Sequence, residues 1–256
     1  MKRKSAFTMI ELLTVIAIIA ILSAIIMPVY SRAKDNANRG SDISSMNSLR
    51  SALQLYRVDQ GGYPPALLGY ATTYVASAQP VPPANELIGF MYPKRIDSLD
   101  VLRPIKNQSK PSDLVTAVWP NQASTAGGAN QKFGPTTTVM VDRSASTGTP
   151  EQFYKISGYD IGQTKLGGSA VRNELRYTLF WTELGLGAGS GNDESRQLGY
   201  TDPPDDTVVT WNSDYRDYTG STLTAGKFEI VLLLGGGVKN ADSREIFTKS
   251  WAANIK

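Results

Sequence analysis

An apolar stretch near the N-terminus constrains this chain more than any other feature. It covers residues 7–27 and reads FTMIELLTVIAIIAILSAIIM. As a helix rising about 1.5 Å per residue it would be about 30 Å long, which is the thickness of the hydrocarbon core of a bilayer. Lys2, Arg3 and Lys4 precede it, and it contains no cation. The positive-inside rule therefore predicts a cytoplasmic N-terminus and an extracytoplasmic position for everything after Tyr30.

Glu11 is the one charged residue within this stretch. Placing a carboxylate in lipid costs roughly 2.5–3.5 kcal/mol at the middle of a helix, and less near an interface. One interpretation is that Glu11 lies at the membrane edge and extends its carboxylate toward water. The other is that so costly a residue has a charged partner.

The surrounding residues favour the second interpretation through a family resemblance. Residues 4–13, KSAFTMIELL, resemble the processing site of type IV prepilins and type II secretion pseudopilins. The resemblance implies that a membrane peptidase cuts between Ala6 and Phe7 and methylates the new amine of Phe7. The family usually has glycine before the cut, and Ala6 is a small residue of similar fit. In a bundle of apolar helices, the Phe7 amine of an adjoining subunit is then the candidate cation for Glu11, and this pair would set the register between subunits.

Pro28 follows the apolar stretch directly. A proline inside a helix removes one backbone donor, so we expect a kink or local melting there. Members of the resembled family often carry a proline at this place. The alternative interpretation is that Pro28 simply marks the exit from the membrane, and the two do not conflict.

The second half of the predicted helix, residues 29–62, is polar with one apolar stripe at helical spacing. Gly61, Gly62 and Pro64 form a stop signal, since glycine accepts positive φ and proline cannot continue a helix. One helix over residues 7–59 is the simplest interpretation. Residues 53–64, LQLYRVDQGGYP, resemble the helix end of major pseudopilins. The stripe consists of Ile43, Met46, Leu49, Leu53 and Tyr56.

The remaining residues, 63–256, predict a globular domain that closes on an antiparallel sheet. Residues 64–113 are rich in proline and predict a long connection with short helices at 85–91 and 96–102. The glycines at 235–237 predict a hairpin turn. The run at 227–239 also resembles the closing hairpin of many bacterial pilin-like proteins. Strands are predicted at 114–119, 136–141, 153–159, 175–182, 207–211 and 228–234. The fold class is therefore α+β, and the resemblance implies a pilin fold.

Composition argues against most enzyme chemistry. The chain has no cysteine and no histidine, which excludes disulfides, thiolate nucleophiles, histidine-based triads and histidine-ligated metals. Its net charge of +3 falls to zero when Lys2, Arg3 and Lys4 are removed with the leader, residues 1–6. No basic footprint for nucleic acid is then left on the side chains. We expect neither catalysis nor nucleic-acid binding.

Two features could hold a ligand. The oxygens of residues 192–194, with Asp202 and Asp205, are the hard donors that calcium prefers, and major pseudopilins bind calcium in a loop near the C-terminus. An acidic loop that is merely solvated is the alternative. Four tryptophans could form a stacking platform for sugar or protein, although tryptophan at a strand position is usually core. These tryptophans are Trp119, Trp181, Trp211 and Trp251.

The sequence thus predicts a structural subunit of a type IV pilus or a type II secretion pseudopilus. The resemblance implies three kinds of partner, namely a prepilin peptidase, an inner-membrane assembly platform and other pilin subunits. Residues 7–28 would anchor the chain in the inner membrane in a single pass and later form the filament core. The alternative function is a minor pilin at a filament tip that binds carbohydrate, DNA or protein.

Overall fold

A long helix, α1 (Met9–Gln60), opens the described part of the chain. The computed structural model describes residues 8–116, 152–165, 171–179, 195–220 and 222–255. The chain divides into two units, Met1–Ser41 and Asp42–Lys256, and α1 contributes to both. Each unit is described below by itself.

The first unit consists, in its described part, of the N-terminal portion of α1. Leucine, isoleucine and alanine dominate it, and every residue from 8 to 37 is exposed. The helix continues without interruption through Pro28. A local kink at this proline stays a prediction.

The portion of α1 in the second unit carries the predicted stripe. Met46, Leu49 and Leu53 are fully buried, and Ile43 and Tyr56 pack partly buried against the same core. The stripe prediction is thereby confirmed. The helix ends at Gln60, and Gly61 takes a φ of +77°, so the glycine stop also acts as predicted.

The connection after α1 differs from its prediction. It contains the helix α2 (Thr72–Ala76), which the sequence did not predict, and a 3-10 turn at Leu99–Leu102 in place of the later predicted helix. The predicted helix at 85–91 is wrong, because turn and extended chain occupy those residues. Tertiary contact explains this. The Phe90 nitrogen donates to the Leu68 carbonyl oxygen over 2.9 Å, and a Cβ on Gly89 would lie 2.1 Å from that oxygen, so this backbone is held against residue 68 and not in a helix.

The strands form antiparallel ladders, which confirms the predicted α+β class with a long N-terminal helix. The predicted strand at 153–159 is strand only as far as Tyr154. The predicted strand at 175–182 is strand at Leu175 and not at 176–179. Residues 117–119, 136–141 and 180–182 of the predicted strands lie outside the described residues. The three-stranded sheet joins β5 (Val208–Asn212), β8 (Phe228–Leu233) and β9 (Gly237–Asp242), with β8 in the centre. The two-stranded ladders pair β1 (Leu114–Thr116) with β2 (Gln152–Tyr154), β3 (Ile161–Lys165) with β4 (Val171–Leu175), and β6 (Tyr218–Thr219) with β7 (Thr222–Leu223).

Strand β8 separates two apolar clusters of the second unit. Its Ile230 and Leu232 join the cluster that contains the α1 stripe, while Val231 and Leu233 join a second cluster on the opposite face. The helix α3 (Ser243–Lys249) contributes Ile246 to that second cluster. Successive side chains of a strand point to opposite faces, so this strand is covered on both sides. Glycines 235–236 turn the chain from β8 into β9, as predicted.

Candidate functional site at the start of the long helix

Thr8 and Glu11 form a capping box at the first turn of α1. Thr8 donates to Glu11 Oε2 from its backbone nitrogen over 2.8 Å and from its hydroxyl over 2.7 Å. In return the Glu11 backbone nitrogen donates to Thr8 Oγ1 over 3.2 Å. These bonds satisfy donors that a helix start otherwise leaves without partners. The sequence analysis missed this role of Glu11, although a threonine three residues before a glutamate and an apolar run is the signal for it.

The residues around Glu11 are apolar and exposed. Met9, Ile10, Leu12 and Leu13 each expose more than half of their surface. Among the described residues, Thr8 is the one that donates to the Glu11 carboxylate, and no cation lies beside it. Ala6 and Phe7, the predicted cleavage and methylation residues, lie outside the described residues. Of the predicted residues Ala6, Phe7 and Glu11, the structure therefore describes Glu11, and its partner Thr8 was not predicted.

The helix around this site is long and apolar enough to cross a membrane. Its most apolar window has a mean hydropathy of 2.8, and the residues of that window are not buried in the structure. Length and composition support this conclusion, since the structure contains no membrane. An exposed surface of this kind is normally covered by lipid or by other apolar helices.

The predicted calcium residues, Asp202 and Asp205, lie in one loop of the second unit but have different surroundings. The Asp202 carboxylate lies 3.6 Å from Arg57 Nη2, and its side chain is 95% exposed. The Asp205 side chain packs on Gly235, where a Cβ would come within 2.2 Å of the carboxylate carbon.

Calcium prefers six to eight oxygen ligands, and the described part of this loop does not supply them. Within the described ranges, no group of three or more acidic, histidine or cysteine side chains could hold a metal ion. Residues 192–194 lie outside those ranges. Calcium binding stays a prediction.

The tryptophans that the structure describes are core residues. Trp211 is fully buried, and Trp251 is 3% exposed. Both belong to the second apolar cluster, so they offer no stacking platform. Trp119 and Trp181 lie outside the described residues.

Buried carboxylates of the second unit were missed by the sequence analysis. Asp42, on α1, accepts hydrogen bonds from the Ile105 nitrogen, Asn212 Nδ2 and the Tyr215 hydroxyl. Burial raises the pKa of Asp42, although these donors oppose the increase. Local sequence gives no signal for such a residue, because its donors lie more than 60 positions away.

Asp160 is a second buried carboxylate with neutral partners. It accepts hydrogen bonds from the Leu67 and Leu68 nitrogens at 2.8 and 3.1 Å and from the Ser157 hydroxyl at 2.7 Å. Burial raises the pKa of Asp160 to about 6, and these donors limit the increase. Asp160 therefore fixes the chain just after the proline pair that follows α1.

A family model matches the N-terminal end of the chain. Residues 1–27 match the prokaryotic N-terminal methylation motif. Type II secretion system core protein G of Klebsiella pneumoniae is 32% identical over 81 residues, which are 31% of this chain and 58% of that protein. The same core protein of Pectobacterium carotovorum is 36% identical over 62 residues, 24% of this chain and 40% of that protein.

A pilus protein has a comparable sequence identity to this chain. The type IV wide pilus major component PilA4 of Thermus thermophilus is 38% identical over 63 residues, 25% of this chain and 48% of that protein. The chain spans about half the length of the curated relatives it matches. No solved structure matches the chain significantly. The methylation motif, these relatives and the long apolar helix followed by antiparallel sheets together support a type IV pilin-like family for this chain.

Proposed function

We propose that this chain is a structural subunit of a type IV pilus or of a type II secretion pseudopilus. The observation that carries the proposal is the N-terminal portion of α1, whose residues 9–29 are predominantly apolar and all exposed, yet include Glu11. Such a surface needs a cover that the described part of this chain does not supply. Lipid would cover it before assembly, and the helices of other subunits would cover it afterwards.

The relatives support both kinds of filament. One group carries the name of a type II secretion system core protein, and another relative carries the name of a wide-pilus component. The family is a structural one and not a known class of enzyme. We therefore assign no catalytic residues.

Processing would proceed at the leader. The proposed cut by a prepilin peptidase lies between Ala6 and Phe7 and removes residues 1–6, after which the amine of Phe7 is methylated. The match to the N-terminal methylation motif supports this step. Residues 7–28 would then hold the chain in the inner membrane in a single pass, with residues 29–62 and the domain at 63–256 on the extracytoplasmic side. An inner-membrane assembly platform would extract the subunit into the filament.

Glu11 would set the register between subunits by pairing with the amine of Phe7 on a neighbour. The capping box supplies a competing explanation, because a glutamate at this position also stabilises the start of its own helix. Two substitutions separate these roles. Glu11→Gln keeps a side chain that can complete a capping box but removes the charge. Thr8→Ala removes the cap and keeps the charge.

The test combines assembly with mass spectrometry. We expect Glu11→Gln to be processed normally but to form few or no filaments, because a buried amine is then left without its counter-charge. Thr8→Ala should lose about 1 kcal/mol of helix stability and still assemble. Mass spectrometry of the mature parent protein should find N-methylphenylalanine at residue 7.

Either of two results would contradict the proposal. If Glu11→Gln assembles as well as the parent protein while Thr8→Ala does not, Glu11 acts as a cap and not as the register charge. If the mature chain begins near residue 28, the apolar helix is a removed signal and cannot form a filament core.

A further inference from the structure

A polar cleft in the second unit lies among the loop after the 3-10 turn, strand β3 and the end of β4. Its volume is about 490 Å³, within the range of small-ligand sites. Carboxamides, charged side chains and a hydroxyl make up most of its wall. The polar side chains that line the cleft include Asn107, Ser109, Gln163, Asn173, Lys155 and Arg176.

Arg176 is the unusual member of this lining. It is fully buried, yet its described hydrogen-bond partners are all neutral. They are the Gln163 carbonyl oxygen at 3.0 Å, the Gly158 carbonyl oxygen at 3.5 Å and the Ser213 hydroxyl. Its Nε has no hydrogen-bond partner among the described residues. A buried guanidinium is normally paired with an anion, because removing the charge from water is otherwise costly.

The charges near Arg176 do not remove this need. Burial lowers the pKa of Arg176 and outweighs the opposing charges of Asp214, Glu174 and Glu229. Among the described residues, no carboxylate lies within 4.0 Å of the guanidinium. An oxyanion in the cleft would supply both the missing acceptor and the missing charge.

Two glycines show that the cleft is built closely around its polar groups. A Cβ on Gly162 would lie 1.7 Å from the Arg176 guanidinium carbon, so a side chain there would displace the arginine. A Cβ on Gly158 would lie 2.7 Å from Asn107 Nδ2. Both positions therefore need glycine for steric reasons, and both line the cleft.

The charge of the lining selects among oxyanions. Lys106, Lys155 and Arg176 are opposed by Asp113 and Asp214, so the wall carries one net positive charge. One carboxylate neutralises that charge, whereas a phosphate dianion would leave an excess of negative charge. The carboxamides and carboxylates of the wall both suit hydroxyl groups, which donate and accept hydrogen bonds.

We propose that this cleft binds a small sugar acid, a polyhydroxylated ligand with a single carboxylate, and that the carboxylate lies against Arg176 and Lys155. The hydroxyls of the ligand would contact the amide wall formed by Asn107, Gln163 and Asn173. This binding function does not depend on the filament proposal, since it uses only residues of the second unit.

The test is calorimetric titration of the full chain in detergent micelles with D-glucuronate, D-glucose and inorganic phosphate. We expect saturable binding of glucuronate at one site, with glucose and phosphate each weaker by at least about tenfold, the effect of one lost charge-assisted contact. Lys155→Glu should weaken glucuronate binding by at least about tenfold, because it reverses a charge of the wall. Lys94→Glu makes the same change at an exposed residue outside the lining and should leave the affinity unchanged.

Arg176→Lys tests the guanidinium donor and not the charge, because it keeps the charge and removes the Nε donor. Its glucuronate affinity should fall, and tryptophan fluorescence will show whether the core has formed. If that variant does not fold, the glucuronate affinities of Lys155→Glu and of its control Lys94→Glu test the proposal. The proposal is overturned if glucuronate does not saturate, if glucose or phosphate binds as tightly, or if Lys94→Glu weakens binding as much as Lys155→Glu.

Discussion

Two carboxylates of α1, Glu11 in the first unit and Asp42 in the second, have opposite surroundings. Glu11 lies among exposed apolar side chains, and Thr8 of its own helix turn donates to it. Asp42 is 1% exposed, and groups from two distant segments of the chain donate to it. The second unit thus supplies the partners of Asp42. The described part of the first unit supplies no cation for Glu11.

The two carboxylates therefore have different roles. A buried carboxylate with a full set of donors fixes how the parts of a domain meet, as Asp42 joins α1 to the segments around Ile105 and Asn212. A carboxylate on an exposed apolar helix has no such role within the chain. Its position is consistent with the proposed pairing between subunits.

The largest expected effect comes from a buried ion pair of the second unit. Two guanidinium nitrogens of Arg216 donate hydrogen bonds to the Glu229 carboxylate, and the bond from Nη2 is 3.2 Å long. Both side chains are at most 3% exposed. Burial raises the pKa of Glu229 to about 7, although Arg216 opposes the increase. Arg216→Met would leave Glu229 buried without its cation. We expect a loss of about 3–5 kcal/mol in the free energy of unfolding at pH 8, measured by denaturant titration with tryptophan fluorescence.

The control for this pair is the double variant Arg216→Met/Glu229→Leu. Replacing both partners by apolar residues of similar volume is often close to neutral. The double variant should therefore recover part of the lost stability, while Glu174, which is buried 3.9 Å from Arg216, still loses this cation. The single variant should also be less damaging at pH 5, where Glu229 can take up a proton. A loss below about 1 kcal/mol at pH 8 would show that the pair is not the buried charge centre of this unit.

The second prediction compares a leucine-to-alanine substitution at two positions of α1. Leu49 is fully buried and Leu22 is 53% exposed. Leu49→Ala should destabilise the second unit by about 2–5 kcal/mol, because it removes apolar contacts and leaves a cavity. Leu22→Ala should change the unfolding free energy by no more than about 0.5 kcal/mol. Equal losses in micelles, measured by the same denaturant titration, would contradict the exposed state of the first unit.

The same contrast explains how much of the fold followed from the sequence. The apolar length of residues 7–27, the stripe at Met46 and Leu49 and the stop at Gly61 are local patterns, and the structure shows a helix that agrees with them. The strands at 207–211 and 228–234 were also close to their observed bounds, because apolar runs between turn residues are local signals as well. Short elements such as α2 were missed for lack of such a signal.

The candidate sites followed from the sequence only where a motif was contiguous. Residues 4–13 contain the predicted processing site and Glu11 in one run, so the pattern could be read directly. Asp160 and Arg176 gave no signal, because their partners come from distant segments. The Asp160 carboxylate, for example, accepts a hydrogen bond from the Leu67 nitrogen, which lies 93 residues earlier in the sequence. Burial and long-range partners decide such sites, and a single sequence shows neither.

The smallest expected effect is the pH dependence that Asp160 contributes to the second unit. Its pKa is about 6 in the folded protein against an ordinary value of 3.8, so the folded state binds this proton more tightly than the unfolded state does. The stabilising contribution is therefore complete below pH 4 and is lost as the pH rises through 6, by at most about 3 kcal/mol. Glu229 titrates in the same direction, so we compare the parent protein with Asp160→Asn over pH 4–8. The difference between their unfolding free energies should shift in favour of Asp160→Asn as the pH rises. Parallel pH profiles would show that Asp160 has the same proton affinity in both states, and its three hydrogen bonds would then fully offset its burial.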